Sequence, residues 1–498
     1  MHDGVRAAQS DPTGRSTRRS REISTFLITL VLLLWPLAVN GAPFYSPDSA
    51  SYLRGGAFGF DTGFLFLQNW WQSLVITPPS VTGGADPKAA VAGAVAEAGG
   101  IRSVFYSAAT YLLRGPGNSL LILAIAQAGA VVFVTSYLRR LIAPHLGPRP
   151  RMVLAAGLAF LTSAPWYAAY AVPDILAGIT IAGTLALTVF FDRIGIAMRV
   201  TLIALIAFCI TSHGGNLPIA LSVLVAGAVT NFTLQRPPLG LAVRQALWFV
   251  SPLVLAVAAL LGTSYVAFGE ASLAPKRYPI QLARSVSDGP GAWHLRDHCA
   301  TERYAICEIF GPNPPRHVRD FLWSENGVRY RATPEQMERI RAEESTIVRR
   351  AAMEYPVQQL SRSAINIVWQ FVAFGTDDLV FGNRMVGGTD DPSVVRAHPD
   401  DRLLKTVSEV LIYLGFAASI VLLFVLRRRL RSVEVAAISV AAVGLLANAA
   451  VCGILSAVTD RYQGRVAWIL PALALIIWLR VRAETRSAGA TTAKVATR

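Results

Sequence analysis

Five polar residues that could take part in chemistry lie at the ends of long apolar segments of this sequence. Asp48 follows the first apolar segment, Asp174 precedes the fourth, His213 lies between the fifth and sixth, and Arg461 and Arg465 lie between the ninth and tenth. Polar side chains at membrane depth are costly, and they usually face a protein interior or a cavity. We therefore expect these residues to line one polar site.

Two carboxylates and two arginines suit a reaction in which an acceptor hydroxyl loses a proton and a phosphate departs. A carboxylate can act as the general base, and the fork of an arginine donates two parallel hydrogen bonds to phosphate oxygens. On this reasoning Asp48 and Asp174 are the candidate catalytic residues. Arg461 and Arg465 are the candidates for binding the phosphate.

Each of these residues also has a structural explanation, which the sequence leaves open. Asp48 and Asp174 stand where helices are predicted to start, and aspartate commonly caps such starts. His213 lies in a glycine-rich turn, and Arg461 and Arg465 could anchor the chain at the membrane interface. Arginine on the outer side runs against the usual orientation bias, which favours a functional role for this pair.

The composition is that of a membrane protein. Of the 498 residues, 53% are hydrophobic and only 15% are charged, whereas a soluble domain carries about 25% charged residues. A net charge of +15 is often a sign of a nucleic-acid partner. The basic residues cluster at the ends of apolar segments, however, so membrane topology explains them better. We predict contact with membrane lipids and no nucleic-acid partner.

The apolar segments predict an all-α polytopic membrane protein of about ten transmembrane helices. The predicted spans are 23–39, 120–138, 152–168, 175–191, 200–211, 217–229, 246–268, 407–426, 435–457 and 466–479. Counting from a cytoplasmic N-terminus places every arginine cluster on one side and the long loops on the other. This predicts cytoplasmic termini. The bias toward Ala, Arg and Gly fits a bacterium with a GC-rich genome, and so a bacterial inner (plasma) membrane.

The same pattern divides the chain into five parts. The prediction gives a disordered cytoplasmic tail at 1–22, a first part of the membrane core at 23–268, an external loop domain at 269–404, a second part of the membrane core at 405–480 and a cytoplasmic tail at 481–498.

A long first external loop, at about 41–118, is predicted to carry juxtamembrane helices. The apolar stretch 64–76 is too short to span a bilayer, so an interfacial helix is expected there. Residues 88–98 predict another short helix, and the amphipathic stretch 101–113 is expected at the membrane surface.

The large external loop carries a predicted disulfide and a predicted helix start. Cys299 and Cys307 are eight residues apart in this polar loop, and in an oxidising compartment they are expected to pair. Thr333 begins a capping box with proline at the first helical position. The acidic pairs 377–378 and 390–391 have no histidine or further carboxylate at metal-site spacing. They are interpreted as surface turns, so no metal-binding residue is assigned. No cofactor is certain from the sequence, and use of a divalent metal stays open without a motif that supports it.

This arrangement resembles the multi-spanning glycosyltransferases of the C-type fold (GT-C), whose relatives include the dolichyl-phosphate-mannose protein mannosyltransferases and the bacterial aminoarabinose transferases. Asp48 matches the acidic residue of the long first external loop, and Asp174 stands where a second acidic residue is common. The run 102–106 is similar to the segment that often precedes the second span, and 461–463 resembles a segment of bacterial members. The resemblance covers most of residues 24–480 as a pattern. The adjacent acidic pair usual in the family is absent at position 48.

The resemblance implies a hexosyl- or pentosyltransferase that moves a sugar from a polyprenyl-phosphate carrier to an envelope glycan, lipid or protein on the non-cytoplasmic face. Asp48 would deprotonate the acceptor, and Asp174 would orient the acceptor or the base. The basic residues that would hold the donor phosphate are Arg461, Arg465, His213, Lys276 and Arg277. For Lys276 and Arg277, which lie beside prolines, the alternative is a solvated loop.

Two other functions stay open at this stage. An O-antigen ligase or polymerase also has many spans and one large outer loop, and it would use His294, His298 and Arg316 of that loop. A lipid or polysaccharide transporter would need charged residues inside the spans, which are nearly free of them.

Overall fold

The structure of the protein, a computed structural model, describes residues 12–75, 102–274, 276–399 and 401–496. Within these ranges it is almost entirely helical, with one antiparallel pair of strands, β1 (Asn383–Val386) and β2 (Ser393–Arg396). The prediction of an all-α membrane protein is confirmed in this coarser form. The predicted helix at 88–98 lies outside the described residues.

The part of the chain before the large loop folds into a series of helices. In chain order they are α1 (Pro12–Leu33), α2 (Trp35–Asn40), α3 (Pro47–Val75), α4 (Val104–Leu112), α5 (Leu121–Ile142), α6 (Pro148–Phe160), α7 (Ala164–Ala168), α8 (Ile175–Val189), α9 (Ile196–Ser212), α10 (Asn216–Gln235) and α11 (Leu239–Phe268).

The remaining helices belong to the large loop and to the C-terminal part of the chain. The loop contains α12 (Ile280–Asp288), α13 (Pro290–Glu302), α14 (Ala305–Phe310), α15 (Val318–Leu322), α16 (Val328–Arg331), α17 (Pro334–Glu354) and α18 (Pro356–Val372). After the strands come α19 (Arg402–Leu426), α20 (Ser432–Leu455), α21 (Asp460–Ala467) and α22 (Ile469–Ala496).

Six helical segments among the described residues are long and apolar enough to cross a membrane, judged by length and composition. They are Leu121–Ile142, Asn216–Gln235, Leu239–Val266, Arg402–Arg429, Ser432–Leu455 and Asp460–Ser487. Two shorter apolar helices, Ile175–Val189 and Ile196–Ser212, accompany them. The chain is therefore a multi-pass membrane protein, and the finer prediction of ten spans stays a prediction.

Two of the predicted spans are interrupted rather than continuous. The stretch 23–39 is divided between α1 and α2, because Pro36 in the first turn of α2 has no amide hydrogen to continue the helix. The stretch 152–168 is divided between α6 and α7, and Pro165 lies in the first turn of α7. In that second break the Thr162 hydroxyl donates to the Leu158 carbonyl at 2.6 Å and accepts from the Ala164 amide at 3.2 Å.

Three other segments differ from the sequence prediction in extent. The stretch 64–76 is the second half of the continuous helix α3 up to Val75, rather than a separate interfacial helix. Helix α1 begins at Pro12, inside the segment predicted as a disordered tail. Helix α22 continues to Ala496, inside the predicted C-terminal tail. The amphipathic stretch 101–113 does contain a helix, α4.

Helix α8 forms the centre of the membrane part. All of its residues are buried, and it packs against α5, α9, α10, α20 and α21. Gly178 permits the approach of α21, because a Cβ there would lie 2.5 Å from Trp468 Nε1 and 2.8 Å from the Arg465 carbonyl oxygen. A residue larger than glycine at this position would push α21 away from α8, and with it the arginines that α21 carries.

The large loop has a hydrophobic core of its own. Leu282, Phe321, Ile340 and Ile347 are buried together in it. Cys299 and Cys307 form a disulfide bond with 5.6 Å between their Cα atoms, which ties α13 to α14.

The start of α17 follows the predicted capping box. The Thr333 hydroxyl accepts from the Gln336 amide at 3.2 Å, and the Gln336 side chain accepts from the Thr333 amide at 3.0 Å. Pro334 is the first helical residue. The prediction of a helix start at Thr333 is confirmed.

Candidate active site at Asp48, Asp174 and Arg461

Three separate parts of the chain meet at one polar cluster. Asp48 lies in the first turn of α3, and Asp174 directly precedes α8. Arg461 and Arg465 are four residues apart on α21, a spacing that places both side chains on one face of a helix.

A backbone contact holds the two carboxylate-bearing segments together. Phe44 forms a parallel β-bridge with Tyr170. The Phe44 amide donates to the Ala169 carbonyl at 2.9 Å, and the Ala171 amide donates to the Phe44 carbonyl at 3.0 Å. The position of Asp48 relative to Asp174 is thus fixed by main-chain hydrogen bonds a few residues before each of them.

The guanidinium group of Arg461 joins the two carboxylates. Its Nη2 donates to Asp48 Oδ2 at 3.1 Å, and its Nε donates to Asp174 Oδ2 at 3.1 Å. The guanidinium carbon also lies 5.7 Å from the centre of the Tyr170 ring. Asp48, Asp174 and Arg461 therefore lie in one cluster, as the sequence analysis expected.

Arg465 lies at the buried end of the cluster. Its side chain is 0% exposed, and its Nη1 lies 3.3 Å from Asp174 Oδ1. Its Nη2 donates to Asn448 Oδ1 at 3.0 Å and lies 3.3 Å from the sulfur of Cys452. With its donors engaged in the interior, Arg465 holds Asp174 and is closed to a phosphate arriving from outside.

Exposure separates the accessible residues of the cluster from the buried ones. The side chains of Asp48 and Arg461 are 22% and 19% exposed, whereas that of Asp174 is 0% exposed. Asp174 makes no capping hydrogen bond to α8, so capping does not explain its burial. Asp174 thus holds the Arg461 guanidinium from the buried side, and its role in orienting the acceptor or the base stays a prediction.

Arg102 is a member of the cluster that the sequence analysis did not assign to the site. Its guanidinium forms an ion pair with Asp48, and its side chain is 30% exposed. The next residue, Ser103, caps α4 by accepting from the Tyr106 amide at 3.2 Å and donates to the Thr211 carbonyl at 2.6 Å. The signal in the sequence was the run 102–106, which was noted only for its resemblance to a family segment.

The ion-pair cluster has a surplus of positive charge. The guanidinium groups of Arg102, Arg461 and Arg465 face the two carboxylates of Asp48 and Asp174. Among these five side chains the arginines exceed the carboxylates by one, and Arg102 and Arg461 are the two partly exposed cations. These guanidinium groups take the positions around the carboxylates that a metal ion would need, so the residues present do not favour a metal centre here.

His213 lies beside the cluster in a structural turn. It ends α9, and its Nδ1 accepts from the Gly215 amide at 3.1 Å. A Cβ built on Gly215 would lie 3.2 Å from His213 Nδ1 and 3.9 Å from Arg465 Nη2, which shows how close the ring and the guanidinium come. Because Nδ1 is an acceptor, a neutral ring carries its proton on Nε2 and can donate it to an oxygen.

Lys276 and Arg277 contact the loop domain. Lys276 Nζ lies 3.3 Å from Glu338, and Arg277 Nη2 lies 2.9 Å from Glu344, both on α17. Burial raises the pKa of Glu344, and the guanidinium of Arg277 opposes this shift. These ion pairs favour a structural role in the loop domain over the predicted binding of the donor phosphate.

Asp378 is a second residue near the site that the sequence analysis did not assign. It lies in an exposed turn, as predicted for the pair 377–378. Although the residue as a whole is exposed, partial desolvation of its carboxylate raises the pKa of Asp378, and the side chain and backbone amide of Arg461 oppose the shift. A carboxylate with a raised pKa beside the accessible arginine is a rival to Asp48 for proton transfer.

Comparison with known proteins identifies neither a family nor a function for the chain. No family model, no curated protein and no solved structure matches the chain.

Proposed function

We propose that the protein is a membrane glycosyltransferase that moves a sugar from a polyprenyl-phosphate carrier to an envelope glycan, lipid or protein. The observation that carries this proposal is the guanidinium of Arg461, which joins Asp48 to Asp174 beside a second accessible arginine, Arg102. A base for a hydroxyl and donors for a phosphate are thus present within one cluster. The reaction takes place on the non-cytoplasmic face of a bacterial inner membrane, with both termini in the cytoplasm.

The proposed topology has ten spans. The six long apolar helices, the two shorter ones and the two interrupted segments α1–α2 and α6–α7 make up this number. We call Asp48, Arg102, Asp174, Arg461 and Arg465 together the Asp48 cluster. On this count, each of its residues lies in a loop on the outer side or at the end of a helix next to that loop.

Contacts among residues that the topology assigns to the inner side support the same count. Glu22 pairs with Arg140 and lies 3.9 Å from Arg151. Near the other end of the chain Arg431 pairs with Glu484. Residues assigned to one side of the membrane therefore contact each other, as ten alternating spans require.

The geometry suggests the following order of events. Oxygens of the donor phosphate accept hydrogen bonds from Arg102 and Arg461, and they compete with Asp48 for these donors. Asp48, released from its ion pairs, takes the proton of the acceptor hydroxyl. The hydroxyl oxygen then bonds to the anomeric carbon of the sugar. The bond between that carbon and the phosphate oxygen breaks, and the lipid phosphate leaves with the electron pair.

The remaining residues of the cluster hold the reacting groups in place. Asp174 and Arg465 fix the Arg461 guanidinium from the buried side. The Nε2 proton of His213 is available to a phosphate oxygen or a sugar hydroxyl. Preorganised donors of this kind stabilise the charge that develops on the leaving phosphate.

Arg102→Gln is expected to raise the KM for the lipid-phosphate donor by about tenfold to a hundredfold, because one charge-assisted hydrogen bond is lost. The kcat should change less, since Asp48 and Arg461 remain. Transfer by the purified protein, measured over a range of donor concentrations, gives both values. Arg54→Gln is the matched control, because Arg54 lies on α3 but pairs with the exposed Asp391. An unchanged KM in Arg102→Gln would remove Arg102 from the donor site.

The function itself is tested by deleting the gene and analysing the envelope glycans by mass spectrometry. The deletion strain is expected to lack one glycosyl modification, and to accumulate the lipid-phosphate sugar that supplies it. The intact gene supplied on a plasmid should restore both. Identical glycan profiles in the two strains, together with unchanged lipid-phosphate sugars, would contradict the proposed function.

A further inference from the structure

A second cluster of potential ligands lies in the loop domain. His294 and His298 are four residues apart on α13, which places their rings on one face, with 4.5 Å between the ring centres. Glu354, the last residue of α17, points its carboxylate between them. His294 Nδ1 lies 2.8 Å from Glu354 Oε2, and His298 Nε2 lies 3.2 Å from Glu354 Oε1.

We propose that these three residues bind a divalent transition-metal cation of the zinc class. One potential ligand atom from each residue lies within 4.8 Å of the other two. Nitrogen and oxygen ligands sit about 2.0–2.2 Å from zinc, so neighbouring ligands of a tetrahedral site are roughly 3.4 Å apart. Small rotations of two rings and one carboxylate bring this cluster to that spacing. Two imidazoles and one carboxylate are a ligand set that zinc takes in proteins.

The surroundings of His294 prepare its Nδ1 as a ligand. His294 is 1% exposed, and its other nitrogen, Nε2, lies 3.3 Å from the Tyr304 hydroxyl. Arg350 donates to the same hydroxyl at 3.2 Å, and the oxygen has a second lone pair that can accept a proton from Nε2 once Nδ1 binds a metal. Histidines that bind metals commonly donate their second ring N–H to such a partner, which fixes the ring and leaves the first nitrogen free to coordinate.

The open side of the cluster admits an ion and a fourth ligand. The side chains of His298 and Glu354 are 37% and 36% exposed, while His294 is buried behind them. Three protein ligands leave the fourth tetrahedral position to water. The bound cation links α13 to the end of α17, as the disulfide that follows His298 links α13 to α14. None of these residues belongs to the Asp48 cluster, so the proposal is independent of the proposed function.

The sequence analysis looked for histidines and carboxylates at metal-site spacing around the acidic pairs, and it considered His294 and His298 only as residues of a rival enzyme. The four-residue spacing of His294 and His298 was the available signal. Glu354 could not be assigned to the same site from the sequence, because it is 60 residues from His294 along the chain.

Zinc titration of the full-length protein tests the proposal. The protein is purified in detergent, its affinity tag is removed, and bound metal is stripped with a chelator. Calorimetry is then expected to show one Zn²⁺ per chain, and Zn²⁺ should raise the Tm. His298→Gln and Glu354→Gln are each expected to weaken binding by at least roughly tenfold. His317→Gln is the matched control, because His317 is an exposed histidine of the same loop outside the cluster.

The variants are chosen so that folding does not obscure the result. His298 and Glu354 are partly exposed, and circular dichroism and gel filtration confirm that each variant is folded before titration. Cobalt supplies a second readout, since Co²⁺ in the same site should give visible absorption bands that His298→Gln abolishes. Absence of stoichiometric Zn²⁺ binding to the wild-type protein would overturn the proposal. Wild-type affinity in both His298→Gln and Glu354→Gln would overturn it as well.

Discussion

Asp48→Asn is expected to lower the rate of sugar transfer by roughly 10²–10⁴-fold, the contribution of a general base. An asparagine amide cannot take the proton of the acceptor hydroxyl, although it has almost the shape of the carboxylate. Because Asp48 is partly exposed at the end of a helix, the variant should fold and insert normally. The kcat of purified protein, at matched amounts and saturating donor, measures the effect.

Two further variants show whether the loss belongs to this carboxylate. Asp391→Asn is the matched control, because Asp391 is 94% exposed and pairs with Arg54 away from the cluster. Asp378→Asn tests the rival base beside Arg461. Full activity in Asp48→Asn, with a large loss in Asp378→Asn, would assign proton transfer to Asp378 instead.

Asp174→Asn is expected to destabilise the folded protein by about 3–5 kcal/mol, because it leaves a buried charge without its partner. Arg465 is fully buried, and Asp174 is its only carboxylate partner among the described residues. Asn448 and Cys452 contribute hydrogen bonds to it but no negative charge. Thermal unfolding in detergent, followed by the fraction of monodisperse protein, measures the loss.

A double variant shows whether the loss of stability comes from the unpaired charge or from the changed shape of the side chain. Asp174→Asn combined with Arg465→Gln removes both charges, so part of the stability should return if the ion pair is the cause. If Asp174→Asn is as stable as the wild type and loses only kcat, Asp174 acts on the reacting groups directly. Its assignment as a positioning residue would then be wrong.

The sequence predicted that Asp48, Asp174 and Arg461 share one site because charged side chains are costly within a bilayer. Asp48, Asp174 and Arg461 lie in different loops, and no local pattern joins them. Charged groups near the bilayer nevertheless need partners in a protein interior, and the arginine clusters assigned all three to the same side. These two constraints predict a shared polar site, whereas the choice of partner for each carboxylate depends on the packing of α3, α8 and α21.

The depth of each residue could not be predicted in the same way. Whether Asp174 or Asp48 faces the opening depends on the rotation and close packing of α8 and α21, which the close approach at Gly178 permits. Both Arg461 and Arg465 were candidates for the phosphate site in the sequence. They are one helical turn apart, and the side chain of Arg461 is partly exposed whereas that of Arg465 is fully buried. The partners of Lys276 and Arg277 are carboxylates more than 60 residues farther along the chain, so only the fold of the loop domain brings them together.

The bridge between Phe44 and Tyr170 has a consequence for how the site tolerates change in evolution. Its hydrogen bonds use only main-chain atoms, so the register of the two segments does not depend on the chemistry of these side chains, although both rings are buried. A one-residue insertion or deletion between positions 44 and 48 would instead turn Asp48 by about 100° around the axis of α3. The length of this short connection, more than its composition, is what selection has to preserve.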